Sequence, residues 1–171
     1  MPGTSTVPVL LSSPRFTLQV AKGGMWSFSE LAGIVMEVEP HEFIFCNPVG
    51  GIVHTKQYGK TKPPTVTLKK PMDTETSLWI WHLNAQAGSP TARLDCTLTA
   101  YSAGSPGQNP DESQIQFVWL LHSAWPAKME LASMRAGATD SPQITVVFSC
   151  DEISIPINGI VGSPSASLPG A

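Results

Sequence analysis

Hydrophobic and polar positions alternate with a period of two over most of this chain. Phe16, Leu18 and Val20 share one face, and Arg15, Thr17 and Gln19 share the other. The same rhythm returns at Val66/Leu68, Leu94/Cys96/Leu98/Ala100 and Ile115/Phe117/Trp119/Leu121, then at Met129/Leu131 and Ile144/Val146/Phe148/Cys150. Alternation of this kind places every second side chain on the buried face of a half-exposed strand. Residues 33–39 are read as a further strand opened by Gly33. About seven strands separated by Gly/Pro turns predict a mostly β fold, a sandwich or barrel. The segment 104–111 (GSPGQNPD) is a turn signal, so 93–101 and 113–121 are expected to pair as a hairpin.

One segment departs from this rhythm. Residues 73–88 (DTETSLWIWHLNAQAG) open with Asp73 as an N-cap candidate, carry Glu75 in the first turn and close on Gly88. Leu78, Trp79 and Leu83, with Trp81 beside them, suit one helical face. A single helix over about 73–87 is therefore expected to flank the strands. The two ends look different again. Residues 1–14 carry Pro2, Pro8 and Pro14 among Ser and Thr and read as an extended arm, and the uncharged, Pro/Gly/Ser-rich 156–171 reads as a flexible tail. The domain between them is placed at 15–155.

Composition narrows the classes. Of 171 residues 42% are hydrophobic, which fits one domain with a real core and excludes disorder for the bulk of the chain. The longest uncharged stretch, 153–171, is broken by Pro156, Pro164 and Pro169, so no apolar membrane helix is expected. No secretory signal is visible, since the first basic residue is Arg15 and the apolar run 7–11 contains Pro8. Cys46, Cys96 and Cys150 cannot form a closed disulfide framework, and the latter two sit at strand positions read as buried. Assembly in the reducing cytoplasm follows as the expectation.

Charge is scarce, 13% against a usual ~25%, and unevenly placed. Glu30, Glu37, Glu39 and Glu42 fall within 13 residues without a base, and Lys56, Lys60, Lys62, Lys69 and Lys70 within 15 residues without an acid. These blocks are either two solvated loop faces or complementary surfaces that meet between copies of the chain.

The usual constellations of catalysis are missing. Gly59-Lys60-Thr61 resembles the end of a phosphate loop, but His54 stands where its first glycine belongs and Pro63-Pro64 where its helix would begin. A strand-edge turn is the simpler reading. His41, His54, His82 and His122 show no helical ligand spacing, and His82 reads as a packing or interface residue. Adjacent Cys150, Asp151 and Glu152 point to alternate faces of a strand and do not share a metal. Tyr58, one aromatic among the lysines, is thin for a base-stacking platform. No catalytic residue, metal or cofactor is expected.

Several segments in order carry a resemblance. Phe28-Ser29-Glu30-Leu31-Ala32-Gly33-Ile34 with Glu37-Val38-Glu39, then Lys56-Gln57-Tyr58-Gly59-Lys60 leading into Val66-Thr67-Leu68-Lys69-Lys70, are followed by Leu78-Trp79-Ile80-Trp81 and by Trp125-Pro126-Ala127-Lys128. Ala136-Gly137 and Cys150-Asp151-Glu152-Ile153 close the set. Over roughly 16–155 this resembles the tail-tube (inner tube) proteins of contractile bacteriophage tails and phage-tail-like injection systems. Lys70-Pro71 stands where that family commonly has Arg-Gly.

The resemblance implies two packed antiparallel sheets forming a small β-barrel with one flanking helix, similar to the haemolysin-coregulated tube proteins of type VI secretion. It implies a homo-hexamer stacked into a hollow tube inside a contractile sheath, with baseplate and tube-terminating proteins as partners and DNA or effector protein as lumen cargo. No enzymatic activity or cofactor is implied. Glu37, Glu39, Glu42, Lys56, Lys60 and Lys62 would then lie at subunit or ring interfaces, and 40–55 would be a loop reaching into a neighbour. The non-core faces of 93–101 and 113–121, with Arg93, Asp95, Thr97, Thr99, Gln114 and Gln116, would line the lumen. A tube-initiating or baseplate-proximal paralogue, a type VI-like ring-forming carrier and a β-sandwich ligand-binding module stand as alternatives.

Overall fold

The structure, a computed structural model, describes residues 15–102, 115–134, 141–157 and 160–161. The expected N-terminal arm, the turn at 104–111, Gln114, Ala136-Gly137 and the tail beyond 161 lie outside the described residues. In chain order the elements are β1 (Arg15–Val20), β2 (Met25–Phe28), β3 (Glu30–Cys46) and β4 (Ile52–Pro71). Helix α1 (Ser77–Gln86) and a 3-10 turn (Pro90–Ala92) follow, then β5 (Leu94–Tyr101), β6 (Ile115–Leu131), β7 (Gln143–Ser149) and β8 (Glu152–Ser154). The short strands β9 (Pro156–Ile157) and β10 (Ile160–Val161) pair with each other, so the first residues of the expected tail form a small ladder.

The main sheet runs β2-β1-β5-β6-β7-β4-β3, with β8 added on β6. It folds over into two layers because β6 belongs to both. Its first part pairs with β5 as far as Ala124, and its second part, from Trp125, pairs with β7. At the corner Ser123 takes a left-handed conformation (φ 51°), and its N–H donates to the Asp95 carboxylate at 2.9 Å. A non-glycine residue there carries a conformational cost, which the hydrogen bond offsets. No ladder closes the path between β2 and β3. The chain itself bridges them, and Ser29 donates its N–H to the Lys69 carbonyl of β4 at 2.9 Å. The mostly β architecture with one helix is as expected, with a seam where a closed barrel would have a ladder.

Alternation supplies the core. Val66 and Leu68 of β4 face Ile144, Val146 and Phe148 of β7, and all are buried with Leu18, Leu98 and Leu121. Strands β5 and β6 pair antiparallel as expected, with Leu98 opposite Trp119 and Cys96 opposite Leu121. Helix α1 docks through Leu78 and Trp81. Trp81 stacks on Trp26 (5.5 Å between centroids), leans on Phe148 (5.6 Å) and donates its indole N–H to the Ala92 carbonyl at 2.7 Å. Phe28 meets Phe148 edge-on at 6.4 Å.

The helix differs from its expected form. It starts at Ser77, and Thr76 in the capping position makes no side-chain cap bond. Asp73 is engaged elsewhere, pairing with the buried Lys70 at 2.8 Å and accepting the Glu75 N–H at 3.2 Å. Leu83 points to solvent, leaving Leu78 and Trp81 as the buried pair. The C-terminal end is as expected. Gly88 (φ +73°) donates to Ala85 and Ser89 donates to Asn84, the paired bonds that close a helix on a glycine.

Candidate functional site

Strands β3 and β4 continue to pair well past the barrel. From Pro64 to Lys70 every second residue of β4 is buried, whereas between 35 and 63 none is. The two strands therefore leave the core together as a ribbon-like arm. Its end is a turn built on Asn47, whose side-chain oxygen accepts the N–H groups of Val49 (3.0 Å) and Gly51 (2.8 Å), with Gly50 at φ +84°. The expected loop at 40–55 is thus mostly strand. Likewise Gly59-Lys60-Thr61 is not a turn but lies within β4.

Bulges shape the arm. Its register shifts between Val35 and Glu37 and again between Val38 and Pro40. Pro40 has no N–H to give to the ladder. Across from it, a Cβ on Gly59 would collide with the Glu39 carbonyl and the His41 ring. Gly59 is there because the backbone and the imidazole come too close for any side chain.

Antiparallel pairing brings the acidic and basic blocks opposite each other inside one chain, Glu37 against Lys62 and Glu42 against Lys56. Lys62 bridges Glu37 (3.0 Å) and Glu39 (3.1 Å), Lys69 meets Glu30 at 2.8 Å, and Glu42 lies 3.5 Å from His54. Hydrogen bonds to Glu37 and Glu39 hold the Lys62 ammonium above the ordinary lysine range. Among the described residues no ion pair joins Lys56 or Lys60.

The arm is also apolar where nothing covers it. Val35, Met36, Val38, Phe43, Ile44, Phe45 and Ile52 are all at least half exposed, Val49 is 92% exposed and Tyr58 97%. Tyr58 and Val38 border a cleft of about 440 Å³ that Glu39, Pro40, Lys56 and Gln57 complete. An isolated two-stranded ribbon is marginal in water at best, and exposed apolar area on this scale marks an interaction surface.

Of the residues expected to line a lumen, Asp95, Thr97 and Thr99 lie along β5, Arg93 just before it and Gln116 on the adjacent β6. Asp95 is exposed and Thr97 half-buried, beside a cavity of about 320 Å³ shared with Gln19 and His122. Arg93 lies over the Trp125 ring (4.5 Å) and 3.6 Å from Asp151. Thr99 is buried opposite Thr17, so it presents no open face in the single chain. Gln116 is half-buried, with its side-chain oxygen enclosed.

The fold also assembles a group that sequence spacing does not reveal. His122 Nε2 lies 2.9 Å from Ser154 Oγ, and Nδ1 lies 3.9 Å from Asp95 Oδ1. Ser154 is buried and the carboxylate is beyond hydrogen-bond distance, so the group pins β8 to β6 rather than presenting a nucleophile. His82 accepts a packing role, with its Nδ1 2.8 Å from the Pro126 carbonyl. Burial raises the thiols of Cys96 to about 12 and Cys150 to about 11, while Cys46 is exposed near the end of the arm. No cluster of three or more His, Cys, Asp or Glu able to hold a metal occurs among the described residues. No helix among them is long and apolar enough to cross a membrane.

Residues 12–152 match the family described as T4-like virus tail tube protein gp19. No curated protein sequence matches the chain. Among solved structures, it is similar to the tube-terminating cap of the anti-feeding prophage (TM-score 0.65, 17% identity, covering 91% of this chain and 98% of that one). It is also similar to a chain of the sheath-tube complex of an extracellular contractile injection system, PVC, in the extended state (TM-score 0.61, 17% identity, 90% and 97%). A type six secretion system protein shares the fold at TM-score 0.54 and 14% identity, over 88% and 90%.

Proposed function

Because the chain belongs to the T4-like virus tail tube protein family, we propose that it is the repeating structural subunit of the inner tube of a contractile phage tail or phage-tail-like injection particle. Copies form hexameric rings, and the rings stack into a hollow tube within a contractile sheath. The tube ends on baseplate and tube-terminating proteins and passes DNA or effector protein through its lumen. The chain works without cofactor or catalysis, by transmitting the sheath's stroke through a rigid tube. Assembly takes place in the cytoplasm before the particle is released.

The observation that carries this reading is the arm. Over 35–63 the chain spends two long strands on a ribbon with no core of its own and many exposed apolar side chains. Such a ribbon is ordered when other copies cover it. Glu37, Glu39, Glu42, Lys56, Lys60 and Lys62 all lie on it, so they belong to the contact between subunits or rings. Asp95 and Thr97, with Arg93, belong to the lumen face.

Negative-stain electron microscopy of the purified chain tests this. Wild type is expected to form filaments of variable length, and a variant with residues 43–55 replaced by Asn-Gly is expected to remain folded but unassembled. Discrete rings that never elongate would indicate an initiating or baseplate-proximal paralogue, or a type VI-like carrier. A monomer at high concentration would refute the assembly reading and leave a ligand-binding module.

A further inference from the structure

A strand with a free edge invites pairing with other chains, and proteins blunt such edges with charge, proline or a cover. Strand β6 has one long edge that lacks charge. On one side it pairs with β5 from Ile115 to Ala124, whereas on the other β8 covers only Leu120–His122 and β7 begins at Trp125. Among the described residues Ile115–Trp119 (IQFVW) have no ladder on that second side, and no Asp, Glu, Lys or Arg occurs from 113 to 127. At the other end of the same layer β2 pairs with β1 alone. The layer β2-β1-β5-β6 therefore ends in two strand edges.

Beside the β6 edge stands the hairpin of β9 and β10. Strand β8 is fastened to β6 by its ladder and by the contact of Ser154 Oγ with His122 Nε2 at 2.9 Å. Because β8 runs antiparallel to β6, the chain leaves Ser154, opposite Leu120, in the direction of Ile115. Ile155 belongs to neither strand, and β9 then lies against β6 without a ladder to it. Ile157 pairs with Ile160 across Asn158-Gly159, a dipeptide that strongly favours a tight hairpin. Residues that flank so short a connection bond each other, so Pro156, the next along, turns its backbone away from β10. It has no N–H to give a strand on that side. The hairpin is tied to itself and only lightly held to the edge it lies along.

We propose that the β9–β10 hairpin is a guard: it shields the Ile115–Trp119 edge in the free chain and swings out about Ile155 when a strand of another copy pairs there. This rests on the tube reading above. An incoming strand with every N–H available makes a full ladder, which the guard, with Pro156 at the point of contact, does not. The fastening of β8 keeps the guard next to the edge, so it outcompetes chance encounters through its high effective concentration. It yields where a neighbouring copy is already held in position by other contacts, as at the end of a growing tube. The free chain is thereby kept from edge-to-edge aggregation without any charge on the strand.

Two substitutions in the full chain push the guard in opposite directions. Ile160→Pro removes the N–H that closes the hairpin, and Pro156→Val supplies the missing donor toward β6. Each changes about one net hydrogen bond, which is about fivefold in the guard's hold on the edge. The lag before tube growth, followed by light scattering at fixed concentration, is expected to shorten by about that factor in Ile160→Pro and to lengthen by about as much in Pro156→Val. A photo-crosslinking residue at Val118 should capture 155–161 of its own chain before assembly and a segment of another copy in tubes, the two being told apart by mixing isotopically light and heavy chains. Unchanged lags in both variants, slower growth in Ile160→Pro, or self-capture that persists in tubes would overturn the guard while leaving the tube reading intact. Failure of wild type and both variants to assemble at all would overturn both.

Discussion

Replacing both aromatic side chains of one arm face separates assembly from folding. Phe43 is 53% exposed and Phe45 52%, so each presents roughly 100 Å² that only a neighbour can remove from water. At ~25 cal/mol per Å² the two together would contribute about 5 kcal/mol to subunit addition if fully covered. Interface area converts incompletely, because ordering and polar desolvation oppose it, so about half of that is the working figure. A loss of about 2.5 kcal/mol raises the concentration needed for assembly about 60-fold. Phe43→Ser/Phe45→Ser is therefore expected to shift the critical concentration, read by sedimentation of tubes against free chain, by at least that order. Thermal unfolding of the unassembled chain should barely move, because neither ring touches the core and exposed substitutions stay within ~0.5 kcal/mol. An unchanged critical concentration would refute the placement of the arm in the interface. A large fall in thermal stability would refute its independence from the barrel.

Two further substitutions probe how the arm and the helix are held. Gly59→Ala puts a methyl group against the Glu39 carbonyl and the His41 ring; faster amide exchange at 38–41 and 58–60 and loss of tubes are expected, with the core amides of β7 unchanged. At the start of α1, Asp73 is held below the ordinary carboxylate value, chiefly by its hydrogen bond to Lys70. Since its folded pKa is depressed, the stability it contributes is complete above the ordinary value of 3.8 and is lost as the pH falls through the depressed one. Asp73→Asn should cost about 1–2 kcal/mol at neutral pH, discounted for the half-exposed carboxylate that pairs with a buried ammonium, and should flatten the acid limb of urea midpoints measured between pH 5 and 2.

What the sequence made legible is what local periodicity encodes. Ile144, Val146 and Phe148 are inward because alternation on β7 leaves no other register, and Gly88 ends α1 because a left-handed residue was needed there. The start of the helix was hidden because Asp73, a good cap in isolation, serves the buried Lys70 instead. The arm was hidden for a different reason. Beyond the strand read at 33–39, apolar residues in FIFC fall on both faces, which erases the period-two signal of a half-buried strand, and Pro40 and the Gly-Gly pair at 50–51 imitate a loop. Loss of alternation here marks a strand pair with both faces exposed, not missing structure. The contact of His122 with Ser154 and Asp95 joins three strands and left no trace in spacing.

The charge blocks read differently once the strands are paired. In a linear sequence, an acidic run followed by a basic run suits two surfaces on different copies as well as it suits two neighbouring strands. Antiparallel pairing here sets Glu37 and Glu39 against Lys62 inside one arm, two carboxylates sharing one ammonium, so this pairing acts on the shape of the arm before any neighbour arrives. The two possibilities have opposite consequences for a charge swap. Glu37→Lys/Glu39→Lys places three ammonium groups together and is expected to splay the arm and block tube growth, while the barrel stays folded. Adding Lys62→Glu to the same chain should restore filaments if the pairing is internal. If Glu37 and Glu39 instead meet Lys56 or Lys60 of another copy, the triple variant should remain unassembled alone. It would then form tubes only when its altered surface met a complementary one, and electron microscopy of each variant singly and mixed with wild type reads the difference. Restoration in the triple variant would leave the ring contacts to the apolar end of the arm and to Lys56 and Lys60. Assembly should then survive 1 M salt, which screens exposed charges beyond ~3 Å and leaves apolar burial in place.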